Sequence, residues 1–286
     1  SAILNDLALF AKHRRVFIFA FGGGVVGDVA GFVAAIFRRG IPYGQVPTTL
    51  LAQVDSAIGG KTGVDLPQGK NLAGAFYQPR LVLSDIDFLK TLSTRQLRNG
   101  LAEVIKYALI KDAGLFSYLE RNYGALLKAD SGALNFVVRC CSSIKSEIVS
   151  LDEREENSIR TMLNFGHTID HAIEAAGEYR LYAHGEAIAL GMLVAADISQ
   201  SLKLISSGTL VRVERLLELV GLPVSIKTIT LKHIISAHYS DKKFSGAKNR
   251  FVLLEKIGRA RIEENIPLEL IKESIRVRLV LSVACR

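Results

Sequence analysis

The chain has 286 residues and a hydrophobic fraction of 49%, which is typical of a folded protein of one large or two ordinary domains and excludes a disordered chain. No run reaches the roughly 18 apolar residues of a membrane helix, and the N-terminal segment lacks the basic start and cleavage site of a signal peptide, so we expect no membrane partner. The net charge of +8 suits anionic partners. Because the sequence has no zinc-finger spacing and no RNA-binding aromatic motif, we expect a phosphorylated metabolite and no nucleic acid.

The first third of the sequence alternates strand-like and helix-like segments. A short helix is predicted over 4–13, and the apolar run RVFIFAFGGG that follows ends in glycines, as a buried parallel strand does. VVGDVAGFVAAIFRRG has apolar residues at helical spacing and ends at Gly40, and QVPTTLL and RLVLSDID are two further predicted strands. Strand, glycine turn, helix and strand is the βαβ order of a nucleotide-binding half-fold.

The stretch VDSAIGGKTGVDLPQGKN, residues 54–71, contains four glycines, two lysines and two aspartates. Few of its residues could build a core. The composition therefore indicates either a long solvated loop or a surface shaped to hold a charged ligand.

From about residue 93 the sequence predicts helices with polar segments between them. Ser93 is a suitable N-cap for a helix over STRQLRNGLAEVIKYALIKD. Further helices are predicted over 113–129, 131–150, 161–176, 184–203, 208–220 and 231–238, and RFVLLEKIGRARIEE predicts a short hairpin. We therefore expect an α/β portion followed by a helical one, with a boundary near residues 90–95 and a site at the interface between them.

The cysteines and the first residue indicate where the protein is located and whether the chain is processed. Cys140, Cys141 and Cys285 form no CxxC pair, and the two neighbours are poorly placed to bond to each other, which favours reduced thiols and a cytoplasmic protein. Because the sequence begins with Ser1 rather than Met, we expect a processed or truncated chain.

Two motifs could carry chemistry. In FGGGVVGD, Gly22, Gly24 and Gly27 fit a GxGxxG spacing, which indicates either a phosphate-binding turn at a helix start or a tight connection without a ligand. In NFGHTIDHAIE, His167 and His171 lie on one helix face, as two zinc ligands would, although the glutamate of an HExxH site is absent.

A second group of residues could complete such a site. His184 follows closely in the sequence, and Glu103 could supply a carboxylate that leaves a fourth metal position open. The alternatives are structural histidines and a surface ion pair between Glu103 and Lys106. Six cations lie in polar or glycine-rich segments: Lys61, Lys70, Lys145, Arg160, Lys242 and Lys243. Each of them alone is typical of a solvated charge, and together they would suit a substrate with several negative charges.

Taken together, these segments resemble the 3-dehydroquinate synthase family over residues 15–260. The resemblance rests on GGGVVGDVAGFVAA, QVPTTLLAQVDSAIGGKTGVDLPQGKNLAGAFYQP, NGLAEVIKYALI, DERE, RTMLNFGHTIDHAIE, HGEAIALGM and DKK…RFVLL. It implies the conversion of 3-deoxy-D-arabino-heptulosonate 7-phosphate to 3-dehydroquinate and phosphate. The implied steps are oxidation by NAD with a bound Zn²⁺ or Co²⁺, phosphate elimination, reduction and intramolecular aldol closure.

The resemblance also implies a dehydroquinate synthase-like fold, with a partial Rossmann-like NAD-binding α/β domain over 1–92 and an all-helical or mainly helical metal- and substrate-binding domain over 93–286. It implies roles for individual residues as well. The metal ligands are Glu103, His167 and His184. The substrate phosphate is held by His171, Asn71, Asn164 and Lys243, with Lys242 as the second choice, and by Arg39 of a neighbouring subunit, which implies a homodimer. The substrate carboxylate and hydroxyls are held by Lys61, Lys145 and Arg160, and Asp55 and Lys106 take other catalytic positions. The NAD-binding residues are Gly23, Gly24, Asp28, Thr48, Thr49, Asp55, Lys61, Lys70, Phe88, Thr91 and Leu92.

The sequence departs from the family pattern in two places. DEREENSIR carries one residue more than the family has before the arginine matched by Arg160. Family members also carry a further half-domain ahead of the first strand, so we expect an exposed strand edge and reduced stability here. The alternatives to the synthase are a sister sugar-phosphate cyclase of the 2-deoxy-scyllo-inosose or epi-valiolone type, a metal-dependent polyol dehydrogenase, and an inactive truncated paralogue.

Overall fold

The structure is a computed structural model that describes residues 2–66, 69–240 and 249–280, with only the backbone described at 69–71 and 239–240. An α/β region comes first and a mostly helical region follows, as the sequence predicts. Residue contacts divide the chain into two compact units, Ser1–Gly100 with Ala129–Glu156 and Leu101–Lys128 with Asn157–Arg286. The boundary at 92–93 stays a prediction. No helix in the described ranges is long and apolar enough to cross a membrane.

The first unit contains a parallel three-stranded sheet. Helix α1 (Ala2–Phe10) precedes strand β1 (Ile18–Gly22), and α2 (Gly24–Ile36) leads to β2 (Tyr43–Pro47). Strand β5 (Leu81–Val82) completes the order β1-β2-β5, and Ile18 pairs with Tyr43 in the parallel register. These elements confirm the predicted helices and strands, although β2 begins and ends earlier than QVPTTLL because a helical turn starts at Leu50.

Strand β1 is buried on one face only, which corrects the expectation of a strand buried on both faces. Ala20 is buried, whereas Phe17, Phe19 and Phe21 alternate with it and are 41%, 61% and 60% exposed. Since successive side chains of a strand point to opposite faces, the three phenylalanines share one face, which is largely exposed. Strand β1 also lies at the end of the strand order, so the expected exposed edge is present in the part of the chain that the structure describes.

A β-hairpin replaces the solvated loop that was one of the two expectations for residues 54–71. Strand β3 (Lys61–Leu66) pairs antiparallel with β4 (Gly69–Phe76), and Gly63 lies opposite Gly74. A Cβ on Gly74 would lie 2.3 Å from the carbonyl oxygen of Thr62, so this glycine allows the two backbones to approach closely. Gly63 and Gly74 therefore serve strand pairing, and the second expectation for this stretch, a surface that holds a charged ligand, stays a prediction.

Further elements complete the first unit. After β5, a 3₁₀ turn spans Ile86–Thr91, and α5 (Ser131–Leu151) is capped by Asp130, whose carboxylate accepts from the backbone N–H of Ala133. Helix α3 (Thr94–Lys111) begins in this unit and continues into the second. The predicted cap is confirmed, because the hydroxyl of Ser93 accepts from the backbone N–H of Gln96 at 3.3 Å.

In its described residues, the second unit is helical apart from one hairpin and an isolated parallel bridge between Ile226 and Leu279. Its helices after α3 are α4 (Ala113–Leu127), α6 (His167–Ala176), α7 (His184–Ser201), α8 (Ser207–Val220), α9 (Leu231–Ser240) and α10 (Leu268–Arg278). The predicted hairpin is confirmed as β6 (Arg250–Lys256) and β7 (Arg259–Glu264). Helix α10 was not predicted, and the helix expected over 161–176 is a 3₁₀ turn, Arg160–Asn164, followed by α6. Helix α7 is buried along almost its whole length and forms the core of this unit.

Candidate active site

Three side chains from three helices converge in the second unit. Glu103 lies on α3, and His167 and His184 are the first residues of α6 and α7. One ligand atom from each of the three lies within 4.8 Å of the others. Glu103 is fully buried and both histidines are partly exposed, so the cluster has one open side. Two imidazoles and one carboxylate are a donor set that binds Zn²⁺ and leaves a position for substrate.

Glycines allow the two histidine-bearing helices to meet. Gly166 caps α6 with a φ of 84°, a left-handed conformation that favours glycine. A Cβ on Gly191 of α7 would lie 2.2 Å from the carbonyl oxygen of Gly166, and a Cβ on Gly166 would lie 2.9 Å from the backbone nitrogen of Met192. The start of α6 therefore packs directly on the backbone of α7, and this contact sets where His167 lies.

Each histidine has a partner at its Nδ1 atom. The Nδ1 of His167 lies 3.4 Å from the carbonyl oxygen of Phe165, and the Nδ1 of His184 lies 3.6 Å from an oxygen of Glu174. The Nε2 of His184 is 3.2 Å from Oε1 of Glu103, whose other oxygen is 2.5 Å from the ammonium of Lys106. Because Nδ1 of each ring is engaged in this way, Nε2 is the nitrogen through which each histidine could bind a metal.

The site concentrates negative charge in a buried volume. Glu103 and Asp170 are fully buried, Glu174 is 7% exposed, and Lys106 is 1% exposed. Burial raises the pKa of Asp170 well above its ordinary value, with the nearby carboxylates adding to the shift. Burial alone would lower the pKa of His184, but hydrogen bonds to Glu103 and Glu174 outweigh it and raise the pKa to about 10.

These residues fit a divalent cation. Both carboxylate oxygens of Asp170 are buried without a hydrogen-bond partner, although Nε2 of His171 lies 3.7 Å from one of them. Three carboxylates against one ammonium leave two negative charges when both histidines are neutral. A dication bound by Glu103, His167 and His184 would balance them.

Three further predicted residues of this unit lie close to the histidines in the chain. Arg160 is buried and begins the 3₁₀ turn that Asn164 ends, two residues before the cap of α6. His171 is 47% exposed at its side chain, and its ring centre lies 5.7 Å from that of His167. Lys242 and Lys243, predicted to bind phosphate, lie outside the described residues.

The first unit brings the predicted nucleotide-binding glycines together with two threonines. Gly23 is the N-cap of α2, where a Cβ would lie 3.1 Å from Cγ2 of Thr49, and the backbone N–H of Thr48 donates to Gly22 at 2.9 Å. A Cβ on Gly27 would lie 2.3 Å from Oε1 of Gln45, so this glycine is needed for helix–strand packing. The turn leaves the first N–H groups of α2 as a place for phosphate oxygens.

Two aspartates and a lysine of the predicted set also meet in this unit. Lys145 on α5 donates to the backbone carbonyl of Asp55 at 2.7 Å and forms an ion pair with its carboxylate. Asp28 lies near both: burial raises its pKa to about 6, Lys145 opposes the shift, and Asp55 adds to it. Lys61 is bound to Glu155 at 2.5 Å.

The other predicted residues of the first unit are placed individually. The ring of Phe88 lies 5.1 Å from that of Phe21, and the hydroxyl of Thr91 donates to the carbonyl of Phe88, with Leu92 next in sequence. Arg39 is exposed beyond the end of α2. The backbone of Lys70 and Asn71 lies in β4. None of these placements tests binding, so their roles stay predictions.

The comparisons with known proteins agree with the motifs. Residues 1–99 match the family model described as 3-dehydroquinate synthase N-terminal, and residues 100–244 match that described as 3-dehydroquinate synthase C-terminal. The chain belongs to the 3-dehydroquinate synthase family. A 3-dehydroquinate synthase from Nitrosomonas europaea is 49% identical over 273 residues, which are 96% of this chain and 74% of that protein.

Solved structures of sister cyclases share the fold of this 3-dehydroquinate synthase family member. A 2-epi-5-epi-valiolone synthase from Streptomyces hygroscopicus subsp. jinggangensis, with NAD⁺ and Zn²⁺ bound, has a TM-score of 0.89 at 31% identity, covering 96% of this chain and 77% of that one. A 2-deoxy-scyllo-inosose synthase complexed with carbaglucose-6-phosphate, NAD⁺ and Co²⁺ has a TM-score of 0.86 at 31% identity, covering 97% and 79%.

Two carboxylates beside the histidine cluster of this family member were not predicted from the sequence. Asp170 and Glu174 are three and seven residues after His167, which places them near its side of α6, yet neither was named. The helical spacing was a signal that could have found them. Acidic residues on a helix are ordinarily solvated, and nothing in the sequence reveals that both are buried here.

Proposed function

We propose that the chain converts 3-deoxy-D-arabino-heptulosonate 7-phosphate to 3-dehydroquinate and phosphate, in the shikimate pathway of aromatic amino-acid biosynthesis. This makes it a lyase that eliminates phosphate and closes a carbocycle. Relatives named 3-dehydroquinate synthase that are 49% and 50% identical over most of the chain support the assignment. The observation that carries it in the structure is the convergence of Glu103, His167 and His184 in one cluster.

The metal and NAD have separate places in this proposal. Glu103, His167 and His184 would hold Zn²⁺ or Co²⁺, which supplies Lewis acidity toward a substrate hydroxyl. NAD would be held at the start of α2 by Gly23 and Gly24 with the other cofactor-binding residues of the family pattern, and it supplies a reversible hydride acceptor. The backbone N–H groups at the start of α2 point to where its phosphates would be bound.

The chain's own side chains bind and orient the substrate. Arg160 and Lys145 are buried cations, and we assign them with Lys61 to the substrate carboxylate and hydroxyls. Lys106 holds Glu103 at 2.5 Å and so fixes one carboxylate oxygen of the metal site. Asp55 fixes Lys145 through its carboxylate and its backbone carbonyl.

The substrate phosphate is assigned to a separate group of polar residues. His171 is exposed beside His167, where its imidazole can donate to a phosphate oxygen. The remaining residues assigned to this group are Asn164, Asn71, Lys242 and Lys243, with Arg39 of a second subunit in a homodimer. We also assign the chain to the cytoplasm, because Cys140, Cys141 and Cys285 form no CxxC pair in the sequence.

Phosphate release tests the proposal. The purified chain is given the heptulosonate phosphate, NAD and Zn²⁺, with EDTA and His184→Ala as controls. We expect phosphate release that needs both metal and NAD, accompanied by 3-dehydroquinate and no net NADH. Metal-independent release, or net accumulation of NADH, would contradict the assignment.

A sister cyclase activity is the second candidate, because the fold is shared with the valiolone and inosose synthases at 31% identity. The higher identity to 3-dehydroquinate synthases and the presence of Asn164 and His171 favour the dehydroquinate reaction. Supplying the sugar phosphates of the sister cyclases in the same assay separates the two. Silence with every substrate would support an inactive paralogue.

A further inference from the structure

Glu174 occupies a position that the proposed reaction does not use. It lies on α6, seven residues and so about two turns after His167, and is 7% exposed. Its Oε1 atom lies 3.6 Å from Nδ1 of His184. A carboxylate is seldom buried to this extent without a partner that stabilises its charge.

The partner of Glu174 is the ring nitrogen that faces away from the metal cluster. The Nε2 of His184 points to Glu103, and Nδ1 points to Glu174. An ionised carboxylate can only accept a hydrogen bond, so Nδ1 must carry a proton when the two interact. With Nδ1 protonated in the neutral ring, the lone pair is on Nε2, which is the tautomer a metal at Glu103 requires.

The second histidine shows the same arrangement with a different acceptor. Nδ1 of His167 faces the carbonyl oxygen of Phe165, which also accepts only. Each of the two imidazoles therefore has an acceptor at Nδ1, which makes Nε2 the nitrogen that would bind the metal. The backbone supplies the acceptor for His167, whereas the acceptor for His184 is a side chain that mutation can remove.

We propose that Glu174 is a positioning residue that fixes the tautomer and ring orientation of His184 for metal binding. This inference rests on the metal site of the proposed function. Glu174 touches neither the metal position nor substrate in this assignment and acts through His184. Its negative charge also increases the donor strength of the imidazole, as a carboxylate bonded to a metal-binding histidine does.

Neighbouring groups do not replace Glu174 in this role. Both oxygens of Glu103 are engaged, one with His184 Nε2 and one with Lys106. Asp170 is the other buried carboxylate of α6. Its charge also acts on His184, but the side chain in ion-pair contact with it is His171. Glu174 is therefore the carboxylate whose removal changes the environment of Nδ1 while leaving all three metal ligands in the chain.

Metal affinity and the visible spectrum of the cobalt form test the inference. We expect Glu174→Ala to weaken Zn²⁺ binding about 10–100-fold in chelator competition. Glu174→Gln keeps an acceptor and loses the charge, so its loss of affinity should be smaller, and the bands of the Co²⁺-saturated protein should shift in both variants. Glu178→Gln makes the same chemical change at an exposed position just beyond α6 and should match the unaltered chain.

The outcomes separate this inference from the proposed reaction. Unaltered zinc affinity in Glu174→Gln and Glu174→Ala, or unaltered cobalt bands at saturation, would overturn the positioning role. If Glu174→Ala fails to fold, Glu174→Gln alone decides. Phosphate release is followed in parallel. A chain with the expected metal behaviour and no release would contradict the reaction and leave the role of Glu174 supported.

Discussion

Replacing Gly191 by alanine should separate the two helices that carry the histidines. The added Cβ would lie 2.2 Å from the carbonyl oxygen of Gly166 and 3.1 Å from the backbone nitrogen of Asp170. A carbon–oxygen contact needs about 3.3 Å, so α6 must move by about 1 Å. Both contacts are with backbone atoms, which cannot turn away as a flexible side chain would.

The magnitude follows from two opposing terms. Overpacking a core costs about 1–3 kcal/mol, while alanine is better than glycine in a helix by about 1 kcal/mol. We therefore expect Gly191→Ala to lower the free energy of unfolding by up to about 2 kcal/mol. The effect on metal binding should be larger, because metal–ligand distances tolerate only about 0.2 Å and His167 moves with α6. A loss of at least about tenfold in zinc affinity is expected.

Gly124 in α4 supplies a matched control. It is also a helical glycine, but nothing lies within 4 Å of where its Cβ would be. Gly124→Ala should raise the free energy of unfolding by about 0.5–1 kcal/mol and leave zinc affinity unchanged. Urea unfolding and chelator competition on both variants give the comparison. If Gly191→Ala bound zinc as tightly as Gly124→Ala, the argument that this backbone contact sets the position of His167 would be refuted.

Three other predictions concern pH, a buried cation and the hairpin. Zinc binding at the proposed site needs a neutral His184, whose pKa is raised to about 10 in the metal-free chain, so binding must release at least one proton. Asp170, whose pKa is also raised, can release a second. Zinc affinity should therefore rise at least about tenfold per pH unit between pH 6 and 8, and calorimetry in two buffers detects the released protons. Arg278→Ala leaves two carboxylates in the second unit without their cation and should cost about 3–5 kcal/mol in urea unfolding, whereas exposed Arg276→Ala on the same helix should cost little. Gly74→Ala should destabilise by about 1–3 kcal/mol, because its Cβ would lie 2.3 Å from the carbonyl of Thr62, and a native unfolding midpoint would contradict the packing role given to this glycine.

Caps, glycine turns and hydrophobic periodicity in the sequence predicted the helices and strands that depend on nearby residues alone. The hydroxyl of Ser93 caps α3 as its position before an amphipathic run indicates, and the β1–α2–β2 order follows from the glycine turn. The β3–β4 hairpin was missed because Gly63 and Gly74 lower strand propensity, while their value in pairing appears only when the two backbones meet. Helix α10 was not predicted, because charged residues interrupt the apolar ones throughout LELIKESIRVR. Its buried Ile271 and Ile275 pack against the rest of the unit.

The three side chains of the candidate metal cluster were predictable from the sequence, whereas the buried carboxylates around them were not. Glu103, His167 and His184 are of residue types that bind zinc, and the resemblance indicates their roles. Asp170 and Glu174 are ordinary acidic residues of a helix until tertiary packing buries them. Their importance depends on the approach of α6 to α7, which Gly166 and Gly191 allow and which the sequence does not reveal.

The charges around His184 explain why three carboxylates are buried together although their mutual repulsion destabilises the metal-free chain. Without metal, the buried carboxylates of Glu103, Asp170 and Glu174 outnumber the permanent cation beside them, Lys106. Protons then balance the excess, which raises the pKa of Asp170 and of His184 together. A dication replaces those protons, so the same carboxylates that are unfavourable in the metal-free chain become a source of metal affinity. The buried carboxylates therefore lower the stability of the metal-free chain and stabilise the metal-bound one. Their two excess negative charges favour a doubly charged ion over a singly charged one.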